Sequence, residues 1–183
     1  MKGRLLDARD RRNRPGRDDK VLVDWNGMAI AVLARAGRQF ARQDWIAAAE
    51  AAFRFVAESE RNGRLPHSIL GDDRLFPCMS ADYAAMIEAA VSLAQAVAEP
   101  APYIARARHW MQALDAWHGD EDGSGHYFTA SDAADLPIRI RGDSDDAVPS
   151  ATARIVLAMT RLALFAGDDA LHRRAVNAAD AAL

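Results

Sequence analysis

Helices built almost entirely from small apolar residues alternate along this chain with amphipathic helices, and this alternation restricts the fold more than any other feature. The first helix is predicted over residues 26–43 and is apolar or small on nearly every side. The second, over residues 44–60, carries a single apolar stripe. A helix that is apolar all round must be buried, whereas an amphipathic helix lies at a surface. The pattern therefore predicts an inner helix followed by an outer one.

The same pair of patterns recurs twice further along the chain. Residues 80–98 and 149–166 are again rich in small apolar residues, and each of these helices is followed by an amphipathic one. Asp24, Asp82 and Ser150 mark corresponding helix starts, 58 and 68 residues apart. Helix pairs repeated at such a period stack side by side to bury what one pair cannot. The predicted fold class is therefore all-α, with about three helical hairpins.

The connections between these hairpins contain short strand patterns. Residues 64–70 and 74–78 flank a Gly-Asp-Asp turn, which is typical of a β-hairpin. Residues 126–129 and 136–140 also have extended patterns and follow a turn-rich stretch. We therefore expect short β-hairpin connections.

Composition and charge limit the partners that the chain can have. With 183 residues, 50% hydrophobic and 27% charged, it is long enough for one domain with a core. Residues 1–20 hold eight of the 23 lysines and arginines, so a basic arm precedes an acidic domain over residues 21–183. The arm lacks the interleaved aromatic rings of single-strand binding surfaces, and we expect no nucleic-acid partner.

Other classes are excluded by what the sequence lacks. No apolar run approaches the length of about 20 residues that spans a bilayer, so we expect no membrane contact. The single cysteine, Cys78, cannot form an internal disulfide and favours a cytoplasmic location. No histidine and cysteine pair has an established metal-ligand spacing, and we expect neither a metal nor a cofactor.

Polar and aromatic side chains cluster where the inner helices begin. If consecutive helices are antiparallel, these starts share one rim, and the rim brings together Asp24, Trp25, Asn26, Asp82, Tyr83, Asp145, Asp146 and Ser150. Carboxylates and amides bind hydroxyl groups, and aromatic faces pack on the apolar face of a pyranose. The rim therefore has the composition of a sugar or other small polar ligand site. The same residue types also cap helices, which leaves a purely structural role open.

Two kinds of carbohydrate chemistry fit these residues. Glycoside hydrolysis needs two carboxylates that flank the bond, and four aspartates of the rim are candidates. Epimerisation needs acid and base groups at a sugar carbon, a role that histidines can fill. His67 and His126 lie in the two connections on the rim side. Each histidine is equally compatible with a hydrogen-bonded loop position, and Lys20 is predicted to pair with a neighbouring aspartate.

Several motifs resemble a known family. They are Leu5-Leu6-Asp7-Ala8-Arg9, Arg12, Arg14-Pro15, Asp18-Asp19-Lys20, Trp25-Asn26-Gly27, Asp82-Tyr83-Ala84, Asp145 and Pro149-Ser150. Together they resemble the helical region of the thioredoxin-domain-containing family that includes spermatogenesis-associated thioredoxin-like proteins and their bacterial relatives. The resemblance implies an (α/α) toroid of the six-hairpin glycosidase type, related in shape to N-acylglucosamine 2-epimerases.

The chain departs from that family in three respects. It lacks the thioredoxin-like part, so redox chemistry is not carried over. It has about three hairpins where a full toroid has six, and it stops inside a predicted helix, so we expect an incomplete toroid domain. Ala151-Thr152 follows Pro149-Ser150 where the family tends to have Gly-Asn.

Two hypotheses follow. One is a toroid segment with a carbohydrate-type pocket whose activity, if any, is epimerase-like or glycosidase-like. The other is a non-catalytic scaffold that docks a partner such as a thioredoxin-like domain, or self-associates, through its open edge.

Overall fold

The computed structural model describes residues 2–121, 123, 125–133 and 136–182, which form seven helices and three short strands. In chain order they are α1 (Lys2–Asp10), β1 (Val21–Leu22), α2 (Val23–Gln39), α3 (Gln43–Glu58), β2 (Ser68–Leu70), β3 (Asp73–Leu75), α4 (Ser80–Ala94), α5 (Ala101–His118), α6 (Ala151–Ala166) and α7 (Asp169–Asp180). The six helices predicted from the sequence are α2 to α7.

Helix α4 is the centre of the fold. It packs between α2 and α6, and each of these three helices also packs against the helix that follows it in the chain. Nearly all of its residues are buried, among them Met86, Ile87 and Leu93. The predicted alternation of inner and outer helices is confirmed, since α2, α4 and α6 form the inner layer of an (α/α) toroid segment.

Helix α2 begins earlier than its sequence pattern predicts, at Val23 rather than near residue 26. Leu22 provides no side-chain cap. Instead, the Val23 amide donates to the carbonyl of His67 at 3.1 Å, and the Asp24 amide donates to Asp82 Oδ1 at 3.0 Å. Because groups distant in sequence satisfy these amides, the helix extends by a turn that local capping would not support.

Gly27 allows α2 and α4 to approach closely at this end. A Cβ atom at Gly27 would lie 2.6 Å from the Cβ of Ala85 and 2.8 Å from its carbonyl carbon. Only glycine fits such an approach, since those distances are far inside van der Waals contact. The contact places the first turn of α2 beside the first turn of α4.

The first connection contains the predicted hairpin in a shorter form. Strands β2 and β3 pair antiparallel, and β1 adds a third strand that the sequence pattern did not reveal, with Val21 opposite Ile69. Pro66 and Pro77, which have no amide hydrogen, limit the length of these strands. The sheet fixes His67, whose amide donates to the Leu75 carbonyl at 2.8 Å.

The strands predicted over residues 126–129 and 136–140 are wrong for the residues described. The segment is a loop that docks on the helices, with the Ser80 amide donating to the Phe128 carbonyl at 2.9 Å. Pro137 has no amide hydrogen, and the guanidinium of Arg139 donates to the carbonyls of Trp117 and Thr129. One backbone bond, from the Phe128 amide to the Ile140 carbonyl at 2.8 Å, and these side-chain bonds therefore hold the segments in place of a strand ladder.

The basic arm contains a helix that the sequence reading did not predict. All residues of α1 are exposed. The arm's ion pairs are local: Arg14 contacts Asp10 at 2.6 Å, and Arg17 contacts Asp19. Lys20 pairs with Asp18 at 3.3 Å, as predicted.

Candidate functional site

Asp82 holds together three elements at the rim where the inner helices begin. Its side chain is fully buried. Oδ1 accepts the amide hydrogen of Asp24 from α2, while Oδ2 accepts from the Met79 amide at 2.8 Å and contacts His67 Nδ1 at 2.9 Å. Burial raises the pKa of Asp82, and the hydrogen bond from His67 opposes that shift. A carboxylate that is buried and occupied on both oxygens positions other groups.

His67 is the group that Asp82 positions most directly. The hydrogen bond to Asp82 raises the pKa of His67 above its ordinary value, and the charges of Asp82 and Asp24 act in the same direction. Its side chain remains 28% exposed. With Nδ1 directed at Asp82, Nε2 is the ring nitrogen left for a ligand. A buried carboxylate behind a partly exposed imidazole is an arrangement suited to acid and base catalysis.

The first turn of α2 presents three different groups beside this pair. The Trp25 side chain is 56% exposed, which is unusual for an indole. Asp24 Oδ1 accepts from the Trp25 amide at 2.7 Å, and among the described residues none donates to Asp24 Oδ2. Asn26 Nδ2 donates to the Leu22 carbonyl at 2.8 Å. A stacking surface therefore lies next to a carboxylate oxygen with spare hydrogen-bonding capacity.

Helix α6 reaches the same rim. Ser150 is its N-cap, with the hydroxyl accepting from the Ala153 amide at 3.1 Å, and Asp145 accepts from the Ser150 amide at 2.8 Å. Both residues therefore use oxygens for capping, which is the structural role that the sequence left open. Asp145 itself is exposed.

Arg154, in the first turns of α6, is the residue that links this helix electrostatically to the other two. The carboxylates close enough to act on its charge are Asp24, Glu88 and Asp82. Its side chain is buried, at 4% exposure, and burial lowers the pKa of the guanidinium. Neither Nη atom has a hydrogen-bond partner in the described part of the chain. The rim thus contains a buried cation without a hydrogen-bonded counter-charge.

Two predicted site residues lie apart from this group. Tyr83 is fully buried against His118, with ring centroids 5.8 Å apart, so its ring forms part of the core. His126 is also buried, and its Nε2 contacts Asp115 Oδ1 at 3.0 Å. Asp115 in turn binds Arg174 of α7 at 2.6 Å, which places His126 beside the outer helices.

The sequence reading missed Arg154 and Gly27. A signal existed for Arg154, because it lies on the same helical face as Ala151, Ile155 and Ala158, all of which are buried. A single charged residue on an otherwise buried helix face is rare unless it has a partner, so it indicates a special role. Gly27 was noticed only as part of a motif, although a glycine inside an apolar helix is itself an indication of a close approach.

The described residues show neither a metal-ligand cluster nor a membrane-spanning helix. They contain no group of three or more His, Cys, Asp or Glu side chains that could hold a metal ion. Their helices also include none that is long and apolar enough to cross a membrane.

Comparisons with curated proteins find distant relatives. Spermatogenesis-associated protein 20 of Mus musculus is 26% identical over 176 residues, which are 90% of this chain and 22% of that protein. An uncharacterised Caenorhabditis elegans protein is 28% identical over 159 residues, or 81% of this chain and 21% of that protein. No family model matches the chain. The chain spans about a fifth of the length of these relatives, with which it shares a weak homology.

Comparisons with solved structures identify the fold. D-mannose isomerase matches 88% of this chain and 41% of its own, with a TM-score of 0.75 and 13% identity. Cellobiose 2-epimerase from Bacillus thermoamylovorans matches 91% of this chain and 45% of its own, with a TM-score of 0.74 and 12% identity. A Bacteroides thetaiotaomicron α-mannanase matches 92% and 46%, with a TM-score of 0.73 and 10% identity. The chain therefore has the (α/α) toroid fold of six-hairpin glycosidases and epimerases.

Proposed function

We propose that the rim formed by the first turns of α2 and α4 binds a sugar or a similar polyhydroxylated ligand. The observation that carries the proposal is the buried Asp82 behind the partly exposed His67, with the exposed Trp25 directly after Asp24, whose amide binds Asp82. Trp25 would stack on the apolar face of a pyranose ring, and Asp24 Oδ2 would accept hydroxyl hydrogens. The carbohydrate-processing neighbours in fold support this assignment.

The chemistry that this arrangement favours is proton transfer at a sugar carbon, as in an epimerase. His67 Nε2 is free to give or take a proton while Asp82 stabilises the imidazolium. Glycoside hydrolysis by two carboxylates is less well supported, because both oxygens of Asp82 are already hydrogen bonded. Asp145 caps α6 through its bond from the Ser150 amide, which leaves Asp24 as the carboxylate best placed for a ligand.

Calorimetric titration with mono- and disaccharides tests binding. We expect heat with at least one reducing sugar and its loss in Trp25→Ala, where the stacking surface is gone. Trp45→Phe is the matched control, because Trp45 lies on α3 beneath the guanidinium of Arg42, away from the rim. Absence of heat with every sugar, or unchanged binding in Trp25→Ala, would overturn the proposal.

Proton exchange tests the finer claim. In deuterated water, an epimerase-type site should exchange the sugar hydrogen at the carbon next to the carbonyl, an exchange that NMR detects. His67→Gln should bind the sugar but lose this exchange, since an amide is neither acidic nor basic enough to transfer a proton near neutral pH. Binding without exchange in the wild-type chain would restrict the function to recognition.

The scaffold alternative remains a prediction. Apolar side chains are exposed on α6 and α7, including Leu164, Phe165 and Val176. Sedimentation of the chain checks it, because a strictly monomeric species would argue against self-association through this edge.

A further inference from the structure

Arg154 is a buried guanidinium that the rest of the rim does not satisfy. It is 4% exposed, and Nη1 and Nη2 lack hydrogen-bond partners among the described residues. A buried charge without a partner is strongly unfavourable, because it loses its hydration without compensation. A partner supplied from outside the chain is one way in which such a charge is satisfied.

The side chain of Arg154 is directed at the rim. Cα–Cβ bonds in a helix tilt toward its N-terminus, so a long side chain near the start of α6 extends toward the end where α2 and α4 also begin. The charged groups that act on the guanidinium agree with this direction, since Asp24 and Asp82 both lie in first turns at that end. The unpartnered nitrogens therefore lie close to the carboxylates of the proposed ligand site.

The nearby carboxylates are partly occupied by other donors. Glu88 contacts Arg35 at 2.8 Å and also pairs with Arg161. Asp82 accepts from Asp24, Met79 and His67. Two of their oxygens, Asp24 Oδ2 and Glu88 Oε2, accept from no described residue, and neither is bonded to Arg154.

We propose that Arg154 receives an oxyanion of the ligand, a carboxylate or a phosphate, so that the rim selects acidic sugars over neutral ones. The proposal rests on the proposed function and specifies its ligand class. A guanidinium presents two parallel N–H groups, which match two oxygens of a carboxylate or phosphate. Because both terminal nitrogens are shielded from solvent, the side chain must rotate to meet the ligand, and the ligand anion then neutralises the charge.

Asp24 gives the proposal a second consequence. As the first of the carboxylates acting on Arg154, it repels a ligand anion and competes for the guanidinium. Replacing it by asparagine should therefore increase the preference for the acidic member of a ligand pair.

Calorimetric titration with matched ligand pairs tests these expectations. The pairs are glucose with glucuronate, galactose with galacturonate, and mannose with mannose 6-phosphate, and inorganic phosphate alone shows whether the anion suffices. In the wild-type chain the acidic member should bind at least about tenfold tighter than its neutral partner. In Arg154→Met that ratio should fall to about one, and in Asp24→Asn it should rise. Arg161→Met is the matched control on the same helix, and it should keep the wild-type ratio.

The outcomes separate this inference from the proposed function. Neutral sugars that bind as well as acidic ones in the wild-type chain, or an acidic preference that survives in Arg154→Met, overturn the inference and leave sugar binding intact. Anions that bind through Arg154 without any sugar requirement support the anion site and contradict the sugar proposal. If Arg154→Met does not fold, the wild-type ratio and its rise in Asp24→Asn decide, and a ratio unchanged in Asp24→Asn counts against the inference.

Discussion

Two carboxylates in the first two hairpins each have three hydrogen-bonding partners, yet only one of them has an unsatisfied charged neighbour. Glu60, just after α3, accepts from Arg106 and Trp110 and contacts His109, at 3.1, 2.8 and 3.1 Å, all on α5. Asp82 likewise has three donors, but they come from α2, the segment before α4 and the segment before β2.

The difference lies in the charges around each carboxylate. The Glu60 cluster, formed by Glu60, Arg106, His109 and Trp110, is complete in itself. The Asp82 cluster, formed by Asp82, His67, Asp24 and Arg154, includes a buried guanidinium without a hydrogen-bond partner in the described chain. A satisfied polar network stabilises a fold, and the incomplete one is the basis of the ligand site that we propose.

The largest expected effect comes from matched carboxylate-to-amide changes in the two clusters. Asp82→Asn leaves three donors without a charged acceptor inside the core, and we expect the free energy of unfolding to fall by about 3–5 kcal/mol. Glu60→Gln should cost only about 1–3 kcal/mol, because the Glu60 side chain keeps 14% exposure. Urea denaturation measures both. Equal losses in the free energy of unfolding would mean that the two clusters contribute equally to stability.

Gly27→Ala tests whether the close approach of α2 and α4 builds the Asp82 cluster. The added methyl group overlaps backbone and side-chain atoms of Ala85, and a loss of about 1–3 kcal/mol in stability is expected, together with weaker ligand binding. Gly37→Ala is the control, since its methyl group would meet Ile46 at the far end of α2. Ligand affinity should be retained there, and a comparable loss of affinity in the control would contradict a local role for Gly27.

A smaller effect of opposite sign is expected for Arg154→Met. Replacing an unpaired buried cation by an apolar side chain of similar length should raise the free energy of unfolding by about 1 kcal/mol, while acidic ligands lose affinity. Arg161→Met should instead lower stability, because Arg161 pairs with Glu88. A clear destabilisation by Arg154→Met would show that Arg154 has a hydrogen-bond partner within the chain in solution, as the residues of the Glu60 cluster do.

The smallest effect is a pH dependence from His67. Because Asp82 raises its pKa in the folded state, the pair stabilises the protein fully below about pH 6.5 and loses that contribution as the pH rises through the folded-state value. Asp82 and Asp24 favour the charged ring, and Lys20 opposes it. The wild-type chain should therefore exceed His67→Gln in stability by about 1 kcal/mol at pH 6 and by less at alkaline pH.

His118, whose pKa burial lowers to about 4, does not affect the stability difference between wild type and His67→Gln. It titrates in both proteins, so its contribution cancels in the difference. A difference between wild type and His67→Gln that grows with pH would contradict the assigned ion pair.

The hairpin architecture could be predicted because it is encoded locally. The stripe of α7 and its cap at Asp168, which accepts from the Leu171 amide at 3.0 Å, both follow from neighbouring residues. The start of α2 could not be predicted, because His67 and Asp82 supply the partners of its first amides. For the same reason the sequence placed Asp24 and Asp82 on one rim but did not reveal that Asp82 is a buried acceptor.

The candidate site was predicted in part. Asp24 and His67 contact Asp82, and Trp25 and Asn26 follow Asp24 in the first turn of α2. Tyr83 and His126 are packed elsewhere, because Tyr83 lies against His118 and His126 pairs with Asp115. Arg154 depends on the meeting of three helices, and its lack of a partner is visible only in three dimensions.

The central claim is that the Asp82 cluster binds a ligand whereas the Glu60 cluster does not, and one titration series addresses it most directly. Calorimetry with the matched sugar pairs should give heat in the wild-type chain and in Glu60→Gln, and no heat in Trp25→Ala. Binding that persists in Trp25→Ala, or that disappears in a folded Glu60→Gln variant, would contradict the account.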